Sequence, residues 1–172
     1  MSKKLFLCLA VAGICGASAQ IRIPLPFTPV PITGQVFVVL LSGIILNGLF
    51  GGISMLFYLV LGVVGLPWFA GGQSGFGPTT GYIIGFIPAS LYIGLLTERL
   101  NQRPGLLNLL GMIMPAVLII YLFGATYLGF FMKLGFRTTL SLAVFPFIPV
   151  DLFKALVVVL IAKPLFSEKR IT

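Results

Sequence analysis

Long apolar runs separated by short breaks rich in charge, proline or glycine form the main pattern of this chain. The runs carry few polar residues, and each approaches the roughly 20 residues that an α-helix needs to cross a bilayer. This pattern is typical of a protein that crosses the membrane several times. It predicts six transmembrane helices, at about 5–20, 33–49, 53–66, 78–97, from 106 to between 123 and 132, and 149–165.

Two of the breaks are more irregular than simple turns. Segment 21–32 carries four prolines, and proline in a helix removes an amide donor and clashes with the preceding turn. We expect an extended backbone here. Irregular backbone at membrane depth is tolerated only where it is buried in protein or lines a cavity, so this segment marks a candidate site. The second irregular break, 67–77, is a glycine-rich loop.

The composition supports an integral membrane protein. Of the 172 residues, 59% are hydrophobic and only 8% are charged, whereas soluble domains carry about 25% charged residues. The length accommodates about six spans with short connections. We therefore expect one all-α transmembrane domain over residues 1–172, a polytopic helix bundle that contacts the lipid bilayer and has no separate soluble domain.

The same composition argues against several functions. The net charge of +8 comes from basic residues dispersed at segment ends, which fits membrane topology better than nucleic-acid binding. The chain has no histidine and its three carboxylates are far apart in sequence, so we expect no metal site. We find no ATP-binding motif and no nucleophile beside a general base. We therefore expect no cofactor in this chain and no enzymatic activity.

The first apolar run has the appearance of a signal peptide. Lys3 and Lys4 precede it, and the small residues of 17–19 follow it, as at a cleavage site. Because the remainder is itself polytopic, we expect a retained first helix instead. Cys8 and Cys15 both lie in this run, about two turns apart, which is too far for a disulfide within one helix.

Small residues recur four apart in the same run. Ala12 pairs in this way with Gly16, and Gly13 pairs with Ala17. Such spacing lets another helix approach closely. The neighbouring helix can belong to the same bundle or to another subunit.

The basic residues predict the orientation, because cytoplasmic loops carry an excess of Lys and Arg. With six spans and a cytoplasmic N-terminus, seven basic residues lie on the cytoplasmic side and three on the other. Both termini are then cytoplasmic, and both irregular segments are extracytoplasmic. The cytoplasmic set is Lys3, Lys4, Arg99, Arg103, Lys163, Lys169 and Arg170, and the opposite set is Arg22, Lys133 and Arg137.

One acidic residue stands out, because Asp151 lies just before the apolar run 155–162. A charge within a span is costly, and it usually faces a cavity or a partner on a substrate or ion path. Lys154 lies one helical turn later, where the two side chains share a face. The pair predicts a pocket for a small polar ligand, since the carboxylate accepts strong hydrogen bonds and the ammonium donates them. A buried ion pair that only fixes the helix register is the alternative.

Other candidate ligand contacts surround the two irregular segments. Aromatic side chains beside the glycine-rich loop suit the apolar walls of a small-molecule pocket, although an interfacial aromatic belt also explains them. Polar side chains at the start of the second span can reach a ligand or satisfy backbone groups freed by the prolines. The candidates are Trp68, Phe69, Tyr82, Gln73, Thr33 and Gln35.

Four blocks of sequence resemble the BioY family, the biotin-binding substrate-specificity subunits (S-components) of energy-coupling factor (ECF) transporters. The resemblance covers nearly the whole chain, and its first block is long and specific. The segment between Gly72 and Gly77 is several residues shorter than in the family. The blocks are 19–35 (AQIRIPLPFTPVPITGQ), Gly65-Leu66-Pro67 with 69–72, Gly77-Pro78-Thr79 with Gly81-Tyr82, and Pro149-x-Asp151-x-x-Lys154.

The resemblance implies a six-helix S-component fold in a bacterial or archaeal cytoplasmic membrane, with biotin captured from outside. It also implies partners: a transmembrane coupling subunit and two ATPase subunits that use the ATP. The docking face for the coupling subunit is then the small residues of helix 1, Ala12 and Gly16. Biotin fits the Asp151–Lys154 pair, because its ureido ring offers two N–H donors and a carbonyl.

Two other function classes remain open from the residues, a channel and a membrane enzyme, and a solitary vitamin transporter is the alternative within transport. A channel needs a polar stripe along several helices, and these spans are nearly devoid of polar residues below their outer third. A membrane enzyme needs an acid/base pair or a metal constellation, which we do not find. A solitary transporter of a different vitamin fits the same pocket.

Overall fold

The computed structural model describes residues 3–100 and 104–168. Arg103, Lys169 and Arg170, which enter the charge count above, lie outside the described residues. The described chain forms seven helices and one two-stranded hairpin. In chain order these are α1 (Lys3–Gln20), β1 (Arg22–Leu25), β2 (Thr28–Thr33), α2 (Gln35–Leu46), α3 (Phe50–Val63), α4 (Thr80–Glu98), α5 (Leu106–Phe131), α6 (Phe136–Ala143) and α7 (Ile148–Glu168).

The predicted spans correspond to α1 to α5 and α7, so the expected helical membrane bundle is confirmed. Among the described residues, three helices, α1, α4 and α5, are long and apolar enough to cross a membrane alone, and the bent pair α6–α7 gives a fourth if it is counted as one broken span. The other two, α2 and α3, have only 12 and 14 residues. At 1.5 Å per residue they are about 18 and 21 Å long, less than the roughly 30 Å of hydrocarbon.

The proline-rich segment is extended, as predicted, but it is also paired. β1 and β2 form an antiparallel hairpin in which Arg22 faces Thr33 and Ile23 faces Ile32, with an irregularity before Leu25. Proline cannot donate to a β-ladder, so it is confined to edge strands and irregular positions. Both strands of a two-stranded hairpin are edges. The all-α description therefore omits this hairpin, which covers one end of the bundle.

A short helix that was not predicted precedes the last span. α6 has eight residues, several of them polar, and a bend of 46° separates it from α7. The polar residues interrupt the apolar pattern that marked the other spans. α7 begins one residue before Pro149, and proline is acceptable in a first helical turn.

α4 occupies the centre of the bundle, packing against α5 on one side and against α2 and α3 on the other. Close approach of α2 to α4 depends on Gly43, because a Cβ there would lie 2.6 Å from the carbonyl oxygen of Ser90. A hydrogen bond of 2.7 Å between the hydroxyls of Ser42 and Ser90 fixes the same contact. Small residues let membrane helices approach closely in this way.

Candidate functional site

A cavity lies where the N-terminal ends of α2, α4 and α7 meet the hairpin and the middle of α5. Its walls are mainly apolar, with a few polar side chains directed inward, the usual character of a small-molecule site. About 40 Å³ of free space remains between the side chains. The lining residues are Val30, Pro31, Ile32, Thr33, Gln35, Val36, Thr79, Tyr82, Ile83, Phe86, Ile120, Tyr121, Phe147, Asp151 and Lys154.

The predicted ion pair lies in this cavity. Lys154 Nζ donates to Asp151 Oδ1 at 2.7 Å, and Asp151 is only 4% exposed. The carboxylate lies in the first turn of α7, where the positive end of the helix dipole favours a negative charge. Both side chains line the cavity, as expected for charges within a membrane span.

Sequence reasoning missed a third member of this group. Tyr121 donates its hydroxyl hydrogen to Asp151 Oδ2 at 2.8 Å. Each carboxylate oxygen therefore has a donor, one charged and one neutral. Tyr121 lies within the apolar run of α5 without a charged neighbour, so its local sequence gives no signal. Only the packing of α5 on α7 brings the two residues together.

Tyr82 also lies in the cavity wall. Its hydroxyl donates to the carbonyl oxygen of Ala143 at 2.6 Å, and its ring meets Phe147 edge-on, with centroids 6.2 Å apart. The ring packs over Gly124 of α5, where an added Cβ would overlap it. Tyr82 thereby ties α4 to the α6–α7 bend and presents an aromatic surface to the cavity.

Thr33 and Gln35 reach the cavity from the junction of β2 and α2. Thr33 donates its hydroxyl hydrogen to Gln35 Oε1 at 2.9 Å, and Gln35 Nε2 donates to the hydroxyl of Tyr58 at 2.7 Å. Gln35 is 5% exposed, so these bonds satisfy a polar group that would be costly to bury alone. They also hold the amide in one orientation in the cavity wall.

Trp68 and Phe69, which were predicted as ligand contacts, do not line this cavity. Their rings pack against Tyr58, with centroid distances of 5.2 and 5.3 Å. Trp68 Nε1 donates to the Tyr58 carbonyl oxygen at 3.0 Å, and Phe69 packs tightly over Gly62. The loop folds back onto α3, so its aromatics stabilise the bundle beside the site.

Gln73 is likewise absent from the cavity wall and is exposed. Its carbonyl oxygen accepts a hydrogen bond from the Phe69 amide at 3.0 Å. Gly71 and Gly72 make this tight reversal possible, since both have positive φ, 79° and 72°, where glycine carries no Cβ penalty. The short loop closes on itself and keeps the Gln73 side chain outside.

The predicted docking residues are also placed differently from expectation. Ala12 is fully buried, and a Cβ on Gly16 would lie 3.0 Å from Trp68 Cβ. These two residues therefore pack inside the subunit. The other small pair faces outward, because Ala17 is exposed and a Cβ on Gly13 would meet nothing within 4 Å.

The electrostatics of the site favour a ligand with both donors and acceptors. Three helix N-termini converge on it, and their dipoles add positive potential to that of Lys154. Asp151 supplies the single carboxylate among the lining residues. Among the described residues, no three His, Cys, Asp or Glu side chains are grouped to hold a metal ion. The arrangement is suited to binding by hydrogen bonds and apolar contact.

The sequence matches one protein family along almost its whole length. A model of the BioY family matches residues 1–170. The probable biotin transporter BioY of Pyrococcus horikoshii is 37% identical over 168 residues, which cover 95% of this chain and 96% of the relative. The biotin transporter BioY of Thermotoga maritima is 38% identical over 144 residues, covering 81% and 83%.

The fold matches a solved structure as well. The crystal structure of the S-component for biotin from an ECF-type ABC transporter superposes with a TM-score of 0.85 at 28% sequence identity. The match covers 96% of this chain and 92% of that chain. The hairpin and the short helices therefore belong to a known architecture.

Proposed function

The chain belongs to the BioY family, and from that premise we propose that it binds biotin for uptake as the substrate-specificity subunit of an ECF-type ABC transporter. One structural observation carries the proposal. The buried carboxylate of Asp151 and its partly buried partner Lys154 face a largely apolar cavity at one end of the bundle. The protein is a membrane transporter component and not an enzyme.

Biotin has groups that match this cavity. Its ureido ring offers two N–H donors, which a carboxylate such as Asp151 accepts in strong charge-assisted bonds. Lys154 donates to a carbonyl or carboxylate oxygen of the same ligand. Phe86, Phe147 and Ile120 provide apolar walls for the sulfur-containing ring and the valeryl chain.

The cavity is narrow, with about 40 Å³ of free space between its side chains. We infer that its walls move apart to admit a ligand of the size of biotin. The hairpin forms a non-helical wall of the cavity, to which β2 contributes residues Val30 to Thr33. We infer that ligand enters by displacement of the hairpin, with the polar pair already in place below it.

The proposal includes the partners and the energy source. We infer that the chain associates with a transmembrane coupling subunit and two ATPase subunits, which use ATP on its behalf. The outward pair Gly13 and Ala17 offers the coupling subunit a smooth face on α1, since small residues let helices approach closely. This replaces the assignment of that role to Ala12 and Gly16.

We further infer that the membrane is the cytoplasmic membrane of a bacterium or archaeon and that both termini are cytoplasmic. The excess of basic residues on that side supports the orientation. The hairpin and the N-terminal ends of α2, α4 and α7 then face the outside. A site at that end is suited to capture from the medium.

Titration of the purified full-length chain with labelled biotin tests the function. We expect saturable binding at one site per chain, displaced by unlabelled biotin. A folded protein that binds no biotin would contradict the proposal. The channel alternative predicts ion or solute flux through reconstituted vesicles without the partner subunits, and a solitary transporter of a different vitamin predicts uptake of that vitamin, not of biotin, under those conditions.

A further inference from the structure

Two apolar grooves run side by side on the membrane-facing surface of α5, away from the ligand cavity. The larger lies between α5 and α6 and has a volume of about 580 Å³. The smaller lies between α4 and α5 and has a volume of about 340 Å³. Both volumes fall in the range of about 300–1,000 Å³ found for small-molecule sites.

One ridge separates the two grooves. Leu122, Thr126 and Phe130 line both of them, and their spacing of four places them in a row along one face of α5. Phe130 is 82% exposed and Leu122 66% exposed, so the ridge stands out from the bundle. Two apolar grooves on either side of one ridge match the two acyl chains of a diacyl lipid.

Positive charge is concentrated at one end of the ridge. Lys133 lies just after α5 and Arg137 lies in the first turn of α6, next to residues that line the larger groove. Both are exposed. No acidic residue lies between Glu98 and Asp151 in the sequence, so no carboxylate from that stretch neutralises them. This end of the grooves therefore suits a negatively charged headgroup.

The backbone at Lys133 strengthens this interpretation. Lys133 has φ of 55°, and the Leu134 amide donates to the Gly129 carbonyl oxygen at 2.9 Å. This is the left-handed ending of a helix, where glycine is the usual residue. A lysine in this conformation is uncommon, and an outlier of this kind favours a role for the side chain.

We propose that this surface binds an anionic diacyl phospholipid, with one acyl chain on each side of the Leu122–Thr126–Phe130 ridge and the headgroup at Lys133 and Arg137. Basic residues near a membrane surface attract anionic headgroups, and the grooves hold the chains. This surface is separate from the ligand cavity except at Tyr121, which lies in the walls of both the cavity and the larger groove.

The test is native mass spectrometry of the full chain in detergent with added lipid. Phosphatidylglycerol, phosphatidylcholine with the same acyl chains, and the single-chain lysophosphatidylglycerol are compared. We expect the diacyl anionic lipid to be retained most strongly. The double variant K133G/R137Q should weaken it about twenty-five-fold, about fivefold for each charge, while Lys163→Gln at the other end of the bundle changes little.

A second variant tests the groove itself. Ala125→Phe places a ring in the larger groove, and Leu107→Phe places a ring at an exposed position of α5 outside both grooves. We expect only Ala125→Phe to reduce lipid retention, with thermal unfolding measured to confirm the fold. Equal retention by the parent and K133G/R137Q would overturn the proposal. So would a dimer, or a complex with the coupling subunit, that Ala125→Phe disrupts while lipid binding is unchanged.

Discussion

The hydroxyl of Tyr121 lies 2.8 Å from Oδ2 of Asp151, although the two residues are thirty positions apart in sequence. This bond joins the middle of α5 to the first turn of α7 and leaves Oδ1 to Lys154. The carboxylate is thereby held in one orientation with respect to the cavity. Tyr121 is a positioning residue for the proposed ligand contact.

Replacing Tyr121 by phenylalanine tests that role. Tyr121→Phe keeps the ring and removes one neutral hydrogen bond, whose net contribution is about 0.5–1.5 kcal/mol. We expect biotin affinity to fall by roughly two- to tenfold. Tyr127→Phe, on the same helix but outside the ligand cavity, is the matched control. Unchanged affinity in both variants, measured by titration, would remove Tyr121 from the site.

The ion pair itself gives the larger effect. Asp151→Asn replaces a charged acceptor by an amide and leaves Lys154 without its partner. Hydrogen bonds to charged groups contribute about 1.5–3 kcal/mol, so we expect biotin affinity to fall by roughly ten- to a hundredfold. We also expect the variant to unfold more easily, because it leaves the charge of Lys154 unpaired in a largely apolar wall.

The double variant D151N/K154M separates ligand binding from structure. We expect it to regain thermal stability, because the unpaired ammonium is gone, but not biotin affinity. If the pair served only to fix the helix register, affinity would return as well. Lys163→Met, exposed near the other end of α7, controls for the loss of a positive charge.

Trp68 should matter for stability and little for ligand. Trp68→Phe removes the hydrogen bond from Nε1 to the Tyr58 carbonyl oxygen and part of the packing against Gly16. We expect a loss of about 1 kcal/mol in unfolding free energy and a biotin affinity within about twofold. A large fall in affinity with unchanged unfolding would instead place Trp68 at the ligand. Phe76→Ala, exposed in the same loop, is the control.

The docking face of α1 is tested by two glycines three residues apart. Gly13→Leu projects into open space, so we expect normal folding and biotin binding but loss of co-purification with the coupling subunit. Gly16→Leu collides with Trp68, so we expect it to destabilise the isolated subunit. Intact co-purification of Gly13→Leu would show that the partner uses another surface.

Orientation is accessible through cysteine labelling at the two ends of α5. Gly105 and Gly135 are exposed, and a Cβ at either position meets nothing within 4 Å. The native Cys8 and Cys15 are fully buried, so the parent chain provides a low background. We expect a membrane-impermeant thiol reagent added outside to label Gly135→Cys and not Gly105→Cys. Labelling of both from one side contradicts the topology.

Local sequence was sufficient for the features that depend on local spacing. The apolar runs predicted the helices, and the three-residue separation of Asp151 and Lys154 predicted their contact, because residues one turn apart share a helix face. The extended form of the proline-rich segment followed from the lost amide donors. These predictions needed no knowledge of how the helices pack.

The remaining features depend on tertiary packing. The contact of Tyr121 with Asp151 requires α5 to lie against α7, and no pattern within α5 specifies it. Trp68 and Phe69 were expected at the ligand because they belong to the glycine-rich loop, yet the loop turns them onto α3. α6 was missed because it has only eight residues, several of them polar, and so short a segment shows no recognisable apolar periodicity.

The prolines of the hairpin also affect the conformational entropy that the hairpin loses when it closes over a ligand. Fixing the backbone of one residue costs about 1–2 kcal/mol of conformational entropy, and the proline ring restricts φ before any ligand arrives. A wall built from such residues has less freedom to lose when it settles over a bound molecule. We therefore expect a contribution to affinity through preorganisation even from Pro24, Pro26 and Pro29, which are exposed and outside the cavity lining.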